Sequence, residues 1–254
     1  MKWLLIAVSI VFTLVDSVYS GTFVEDFSDR NLDEWRIAGH PKPVFPDRVR
    51  VEDGYLVMDA PPPLLAGQFH GYTHMELRTG DWEYWDSYSL TCRIRFERNR
   101  GEFGGDFHVE VRRGSGRFGV AAWQKMGIYP ASQRIQVTTV PPNAKDDRVA
   151  GIKGMIRRQT LKGRDLRGPI EVGQWIPIKV VAEKDRFEFH FDGNFVTQYV
   201  DDTAVRGTVS FIAHGGLAVH LDDITITGVG VPQSIDHKSR LVTTWAEVKN
   251  SLRK

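Results

Sequence analysis

The sequence predicts an all-β protein, a two-sheet antiparallel sandwich, and three observations carry that expectation. Hydrophobic residues alternate with polar ones over short runs between Gly21 and Gly228, the period of a strand with one buried face. Turn residues separate the runs, as at Asp53-Gly54, Lys184-Asp185 and Asp192-Gly193-Asn194, where the chain reverses tightly. No stretch in the same span carries a helical period. About ten to twelve short strands with frequent turns suit a sandwich better than an α/β fold.

The elements follow in order. Residues 1–20 read as a secretory signal peptide: Lys2 is a positive start, Leu4 to Val15 an apolar core, and Val18-Tyr19-Ser20 a small-x-small cleavage site. The apolar run is too short for a comfortable membrane span, an uncleaved anchor being the alternative. No cysteine lies near the site, which argues against a lipoprotein. The mature chain is expected to begin near Gly21 and to be exported, either secreted, periplasmic or held at the cell surface. It would have no membrane segment after signal removal.

Gly21 to Phe27 is a first strand, followed by a loop from Ser28 to Glu34 and then Trp35. Arg48 to Asp59 reads as a hairpin turning at Glu52-Asp53-Gly54. Pro61-Pro62-Pro63 ends it, because proline cannot donate to a ladder. Gln68 to Leu77 alternates weakly. Tyr88 to Arg98 is a strong strand, with Asp106 to Arg113 as its expected hairpin partner across a glycine-rich turn. Arg117 to Trp123 continues the sheet after Gly114-Ser115-Gly116.

The clearest stretch is Gln174 to Val200. Ile176, Ile178, Val180 and Ala182 alternate with mostly polar residues, then Phe187, Phe189 and Phe191 alternate with Glu188, His190 and Asp192. Three antiparallel strands joined by short turns are expected there. Gly207 to Ala213 and Leu217 to Thr227 close the domain, which spans residues 21–228 as one unit. In the last strand Val219 and Leu221 have one parity and Ile224 and Ile226 the other. Burying both pairs requires a bulge at Asp222-Asp223.

Two segments depart from this pattern. Residues 130–169 are long, basic and poorly periodic, as expected of a solvated insertion, an extra hairpin or a flap over a ligand. Residues 229–254 read as a linker and a C-terminal helix, in which Leu241, Trp245, Val248 and Leu252 share one face. That face packs on the sandwich or docks a partner.

The formal net charge is +1, and removing the signal takes one charge of each sign, so nothing points to nucleic acid. Cys92 is the single cysteine, which excludes an intramolecular disulfide. It shares the apolar face of Leu90, Ile94 and Phe96, as a buried, inert thiol would.

Chemistry is expected first on Asp106 to Arg112. Phe107, Val109 and Val111 point one way, and Asp106, His108, Glu110 and Arg112 the other. Such a face suits sugar hydroxyls, although a solvated outer face would look the same. Trp82, Tyr84, Trp85, Trp123 and Tyr129 supply aromatic rings that either fill the core or stack on a sugar at a rim. Trp85 and Trp123 are the candidate stacking rings, and His190 is a neighbour from the opposite face of the phenylalanine strand. His70, His74, His108, His190, His214 and His220 are scattered, with no pair at zinc-motif spacing. Neither GxSxG nor a phosphate loop appears.

Several motifs resemble the concanavalin A-like lectin/glucanase superfamily, a jelly-roll sandwich. They are the opening Thr22 to Trp35, the Val51 to Met58 hairpin, the Gln174 to Val200 hairpins and the closing pair Gly207 to Thr227. Within it the chain is similar to domains of the 3-keto-disaccharide hydrolase type and to laminin-G-like binding modules. The resemblance implies glycan recognition or cleavage. The family-16 glucanases carry E-x-D-x-(x)-E on a central strand, and Asp106 to Glu110 does not reproduce it. Retaining hydrolysis needs carboxyl groups about 5 Å apart, whereas same-face strand neighbours already lie about 7 Å apart. Relatives also bind calcium where an aspartate meets an N-terminal acidic residue and a turn carbonyl. The matching positions are Asp222, Glu25 or Asp26, and Gly54, which otherwise serve turn and bulge chemistry alone.

Three functions therefore stand as expectations. The first is an exported carbohydrate-binding sandwich using Trp85, Asp106, His108, Glu110, Arg112, Trp123 and His190. The second is a glycoside hydrolase or lyase with His108 or Glu110 as acid/base. The third is a non-catalytic surface interaction module. A histidine and a carboxylate grouped around an open metal position would favour the second.

Overall fold

Alternation in the sequence becomes fifteen strands in the computed structural model, which describes residues 20–40, 48–62, 71–78, 85–99, 105–115, 121–140, 158–162, 169–202 and 206–231. The first seven are β1 (Ser20–Glu25), β2 (Trp35–His40), β3 (Val49–Glu52), β4 (Tyr55–Asp59), β5 (Tyr72–Leu77), β6 (Ser87–Asn99) and β7 (Phe107–Ser115). Then come β8 (Ala121–Tyr129), β9 (Arg134–Val140), β10 (Arg158–Lys162) and β11 (Trp175–Glu183). The last are β12 (Arg186–Phe191), β13 (Asn194–Val200), β14 (Thr208–His214) and β15 (Leu217–Val229). The expected signal segment through residue 19, Trp82, Tyr84, the middle of the basic segment and the expected C-terminal helix lie outside the described residues.

The strands form two antiparallel sheets. The eight-stranded sheet runs β13-β12-β11-β6-β15-β4-β3, with β1 also paired to β15. The seven-stranded sheet runs β10-β9-β8-β7-β14-β5-β2. Their inner faces meet in one core. Leu90, Ile94, Val180, Phe187, Phe189 and Val219 come from the first sheet; Met75, Phe107, Val109, Met126, Ile135 and Phe211 come from the second. Burying a side chain of this size contributes about 1.5–3 kcal/mol, so this double layer dominates the stability. Trp35 helps hold the two sheets together. Its ring packs against Phe23 and Phe211 at 6.0 Å, and its Nε1 donates to Glu25 Oε2 at 3.3 Å.

The hairpins expected from Gln174 to Val200 are present. Val180 pairs with Phe189 and Ala182 with Phe187, and the turn residues Lys184, Asp192 and Gly193 have φ of 51°, 51° and 68°. Asp53 and Gly54 turn β3 into β4 with φ of 53° and 81°, which an Asp-Gly pair adopts readily. The register of β15 shifts between Asp222 and Thr225, with Asp223 at φ 51°, so both apolar pairs point inward as expected.

Two expectations need correction. Tyr88 to Arg98 and Asp106 to Arg113 are not a hairpin: β6 and β7 lie in opposite sheets, β6 pairing with β11 and β15, and β7 with β8 and β14. Alternation fixes which face is buried but not which sheet a strand joins. Residues 130–169 hold the extra hairpin named among the alternatives: β9 and β10 within them pair with each other and extend the second sheet. Trp35 does not simply end a loop; it opens β2, which pairs with β5.

Candidate functional site

The outer face of the seven-stranded sheet is built around β7. Phe107, Val109 and Val111 fill the core, so His108 and Glu110 project outward, with Asp106 just before the strand. Alternation then breaks. Arg112 has φ 53°, and the pairing with β8 shifts between Val111 and Gly114. Such a bulge turns one residue across the sheet. Arg112 is therefore fully buried on the core side, its guanidinium 4.6 Å from the Phe187 ring and its Nη2 donating to the Asp86 carbonyl. This corrects the expected place of Arg112 on the site face. Arg113 takes that place, donating through Nη1 to Glu110 Oε2 and covering the Trp123 ring at 4.9 Å.

The neighbouring strands complete the face. On one side Ile212 and Ser210 of β14 sit opposite His108 and Glu110, and beyond them His74 and Glu76 of β5. On the other side lie Gly127 and Lys125 of β8, then Gln136 and Thr138 of β9. Glu110, Thr138 and Ser210 are at most 2 % exposed although they face away from the core. On the outer face of the other sheet, the Arg93 side chain is 43 % exposed. The seven-stranded sheet thus carries a recessed polar face.

Glu110 lies at its floor. It accepts from Ser210 Oγ at 2.8 Å and from Arg113. Burial alone would raise its pKa, but the charges of Arg113 and Lys125 hold it below the usual carboxylate range. A carboxylate so stabilised is a poor general acid.

At the adjoining corner, Asp106 receives two imidazoles. His108 Nε2 is 2.6 Å from Oδ2, and His214 Nδ1 is 3.3 Å from Oδ1. The two imidazole rings meet edge to face at 4.7 Å, and Tyr72 lies 5.8 Å from His214. Burial works against ionisation of Asp106, yet the imidazoles outweigh it and hold the carboxyl well below its ordinary value. Burial and the charge of Lys125 push His108 down, so a neutral ring donates to an ionised Asp106. Local geometry fixes this corner. The His214 N–H donates to the Asp106 carbonyl at 2.9 Å, and a side chain at Gly105 would meet the His214 carbonyl at 2.4 Å. The Gly215-Gly216 turn that follows donates to the carbonyls of Gly71 and Pro61.

Aromatic rings border the recess. Tyr129 lies over Gly127, where a side chain would meet its ring at 3.0 Å, and Arg134 sits 4.1 Å from the ring centre. Trp123 is half-buried beneath Arg113. Trp85, expected as a stacking ring, is instead fully buried in the core at 5.9 Å from Tyr88. It precedes β6 where the chain enters the sandwich, so its bulk fills the interior. His190 is not a neighbour of the site. It is on β12 of the other sheet, paired in register with Lys179 and packed on Phe195 at 5.6 Å.

Residues matched to a calcium site make local contacts of their own. Glu25 Oε1 accepts from the Phe27 N–H at 2.8 Å and Oε2 from Trp35, while Asp26 Oδ1 accepts from the Ser28 N–H at 3.0 Å. Asp222 Oδ2 pairs with Arg93 at 2.8 Å, and Gly54 forms the β3–β4 turn. Among the described residues, the one grouping of three ligand-bearing side chains is Asp106, His108 and His214, whose ligand atoms lie within 4.8 Å of one another.

Sequence reasoning reached Asp106, His108, Glu110 and Trp123. It missed Arg113, Lys125, Ser210 and Tyr72, and it saw His214 and His74 only as scattered histidines. The closing β14 strand was legible, so the parity of Ser210 and His214 could be read, but not the strand beside them.

No family model matches the chain, and no curated protein matches it. Solved structures do. An endo-β-1,3-glucanase from Pyrococcus furiosus superimposes with a TM-score of 0.57 at 10% identity, covering 82% of this chain and 93% of that one. A β-1,3-1,4-glucanase from a mouse hindgut metagenome gives 0.56 at 13% identity, covering 83% of this chain and 100% of that one. A carbohydrate-binding module from Bacillus subtilis gives 0.50 at 14% identity, covering 77% and 96%. With two antiparallel sheets in this order and these neighbours, the chain has the concanavalin A-like lectin/glucanase fold.

Proposed function

We propose that the recessed outer face of the seven-stranded sheet binds a glycan. The observation that carries this reading is a sheltered row of hydrogen-bonding side chains, Glu110, Ser210, Thr138 and His108, turned away from the core. Polar groups in such a setting recognise hydroxyls, and Trp123, Tyr129 and Tyr72 supply rings for the apolar faces of a sugar. The same sandwich in a carbohydrate-binding module and in glucanases supports the class of ligand. Export to the periplasm or cell surface fits this role and rests on the signal-like start alone.

A glycan array probed with the protein, with and without Ca²⁺, tests the reading. Binding to a restricted set of glycans is expected, weakened about tenfold by Trp123→Ala or Tyr129→Ala. No signal on the array, or signals unchanged in both variants, would overturn it.

One observation favours a second reading, an enzyme acting on a glycoside. Asp106, His108 and His214 group a carboxylate with two imidazoles beside the same recess. Proton transfer would then fall to His108 oriented by Asp106, rather than to Glu110, whose charge is held by Arg113. Product release from an array-selected glycan, lost in Asp106→Asn while binding persists, distinguishes the enzyme from the binding module.

A further inference from the structure

We propose that Asp106, His108 and His214 form a binding site for a divalent transition-metal ion of the Zn²⁺ or Co²⁺ kind. The site goes beyond glycan recognition and does not depend on it. It is also distinct from the calcium position matched to Glu25, Asp26, Gly54 and Asp222.

The geometry carries the inference. Tetrahedral zinc with ligands at about 2.0–2.1 Å sets them about 3.3 Å apart. Here Asp106 Oδ2 lies 2.6 Å from His108 Nε2 and Oδ1 lies 3.3 Å from His214 Nδ1, and one ligand atom from each residue lies within 4.8 Å of the others, so side-chain rotations would gather the set around an ion. Each imidazole then carries its proton on its other ring nitrogen, leaving Nε2 of His108 and Nδ1 of His214 as ligands. Two imidazoles and one carboxylate suit borderline divalent ions, whereas Ca²⁺ prefers an all-oxygen shell.

The backbone presents the set ready-made. Asp106 and His108 flank the start of β7, and His214 ends the adjacent β14, joined to Asp106 by the 2.9 Å backbone hydrogen bond. Gly105 is needed for that approach, because a side chain there would strike the backbone of His214. Nearby on the same face, His74 is buried, and its Nε2 has no hydrogen-bond partner. An unpaired buried imidazole nitrogen is costly. A water or hydroxyl held by an ion in the recess would give it a partner.

The ion would keep one open position. His108 is buried at the floor, while the side chains of His214 and Asp106 are 24 % and 19 % exposed. Three protein ligands and an accessible fourth position are the pattern of sites that bind water or substrate oxygen.

The test uses the metal alone. The protein is stripped with EDTA, desalted, and titrated with Zn²⁺ by calorimetry and with Co²⁺ by visible absorption. One equivalent should bind, with Co²⁺ giving the d–d bands of a low-coordinate nitrogen–oxygen site. Asp106→Asn and His214→Gln should each weaken binding by about 100-fold, and His190→Gln on the other sheet should leave it unchanged. His214 is partly exposed, so His214→Gln should keep the metal-free melting temperature, which confirms that the loss is local. No stoichiometric binding, or binding undiminished in both site variants, overturns the proposal. Metal binding without any array signal would leave this site standing and remove the glycan reading. An array signal from protein that takes up no stoichiometric metal would do the reverse.

Discussion

At the scale of single residues, the exchange of Arg112 for Arg113 decides how the recess is charged. Arg113 is the main partner of a buried carboxylate, and the Glu110 side chain is 3 % exposed against 27 % for Arg113. Removing one partner of a buried pair costs about 3–5 kcal/mol, because the other is left uncompensated. Partial exposure of Arg113 lowers the expected cost of Arg113→Met to about 2–3 kcal/mol. The double variant Arg113→Met with Glu110→Gln should be less destabilised than the two single effects added together. Denaturant unfolding of the four proteins measures this, and strict additivity would show that the pair is not coupled. Cys92 behaves more simply. It is buried and its pKa is pushed up to about 12, so a thiol reagent should label it only after unfolding.

Elements explain both what the sequence revealed and what it hid. Gln174 to Val200 was legible because its period and its turns agree, each hairpin closing within a few residues. The β15 bulge was legible too, since the parity of Val219 and Leu221 clashes with that of Ile224 and Ile226. The β7 bulge was not, because Arg112 and Arg113 are the same residue type and nothing local says which one turns inward. The cluster of Asp106, His108 and His214 was hidden for another reason. It depends on β14 pairing with β7 across about a hundred residues, and alternation carries no information about which strands become neighbours. Residues 134–140 escaped because only Ile135 and Val137 mark the buried side, with Thr139 in the next inward place, so the apolar alternation is too short to stand out.

The same strand junction yields a prediction. At Gly105 an added Cβ would lie 2.4 Å from the His214 carbonyl and 2.7 Å from the Leu217 Cβ, and the first of these is backbone that cannot swing aside. Gly105→Ala should therefore part the start of β7 from the end of β14. A cost of about 1–3 kcal/mol in unfolding free energy is expected, as for other overpacked sites. Metal affinity should fall as well, although no ligand has been changed. Retained stability with full metal affinity would show that the junction is more tolerant than its contacts imply.

For the whole molecule, buried titratable groups make stability depend on pH. Burial and the charge of Arg113 lower the pKa of His74 from 6.5 to about 4, and burial lowers those of His108 and His220. Each of these groups is neutral in the fold but takes up a proton in the unfolded chain below pH 6.5. The unfolded state then binds more protons, so stability is full above that pH and falls as the pH drops toward 4. Asp106 and Glu110, both held below their ordinary values, act in the same direction at lower pH: their contribution is present above the usual carboxylate pKa and is lost beneath it. Glu25, raised by burial, opposes them because its neutral form is favoured in the fold. His74 alone accounts for about 3 kcal/mol between pH 6.5 and 4, because its pKa falls from 6.5 to about 4 and each tenfold change in proton affinity is about 1.36 kcal/mol. Urea unfolding of metal-free protein across this range should give a midpoint that declines with acid. His74→Leu, which has nothing to protonate, should flatten that decline by a comparable amount. An equally steep decline in the variant would assign the acid sensitivity to His108 and the carboxylates instead of to the unpaired imidazole.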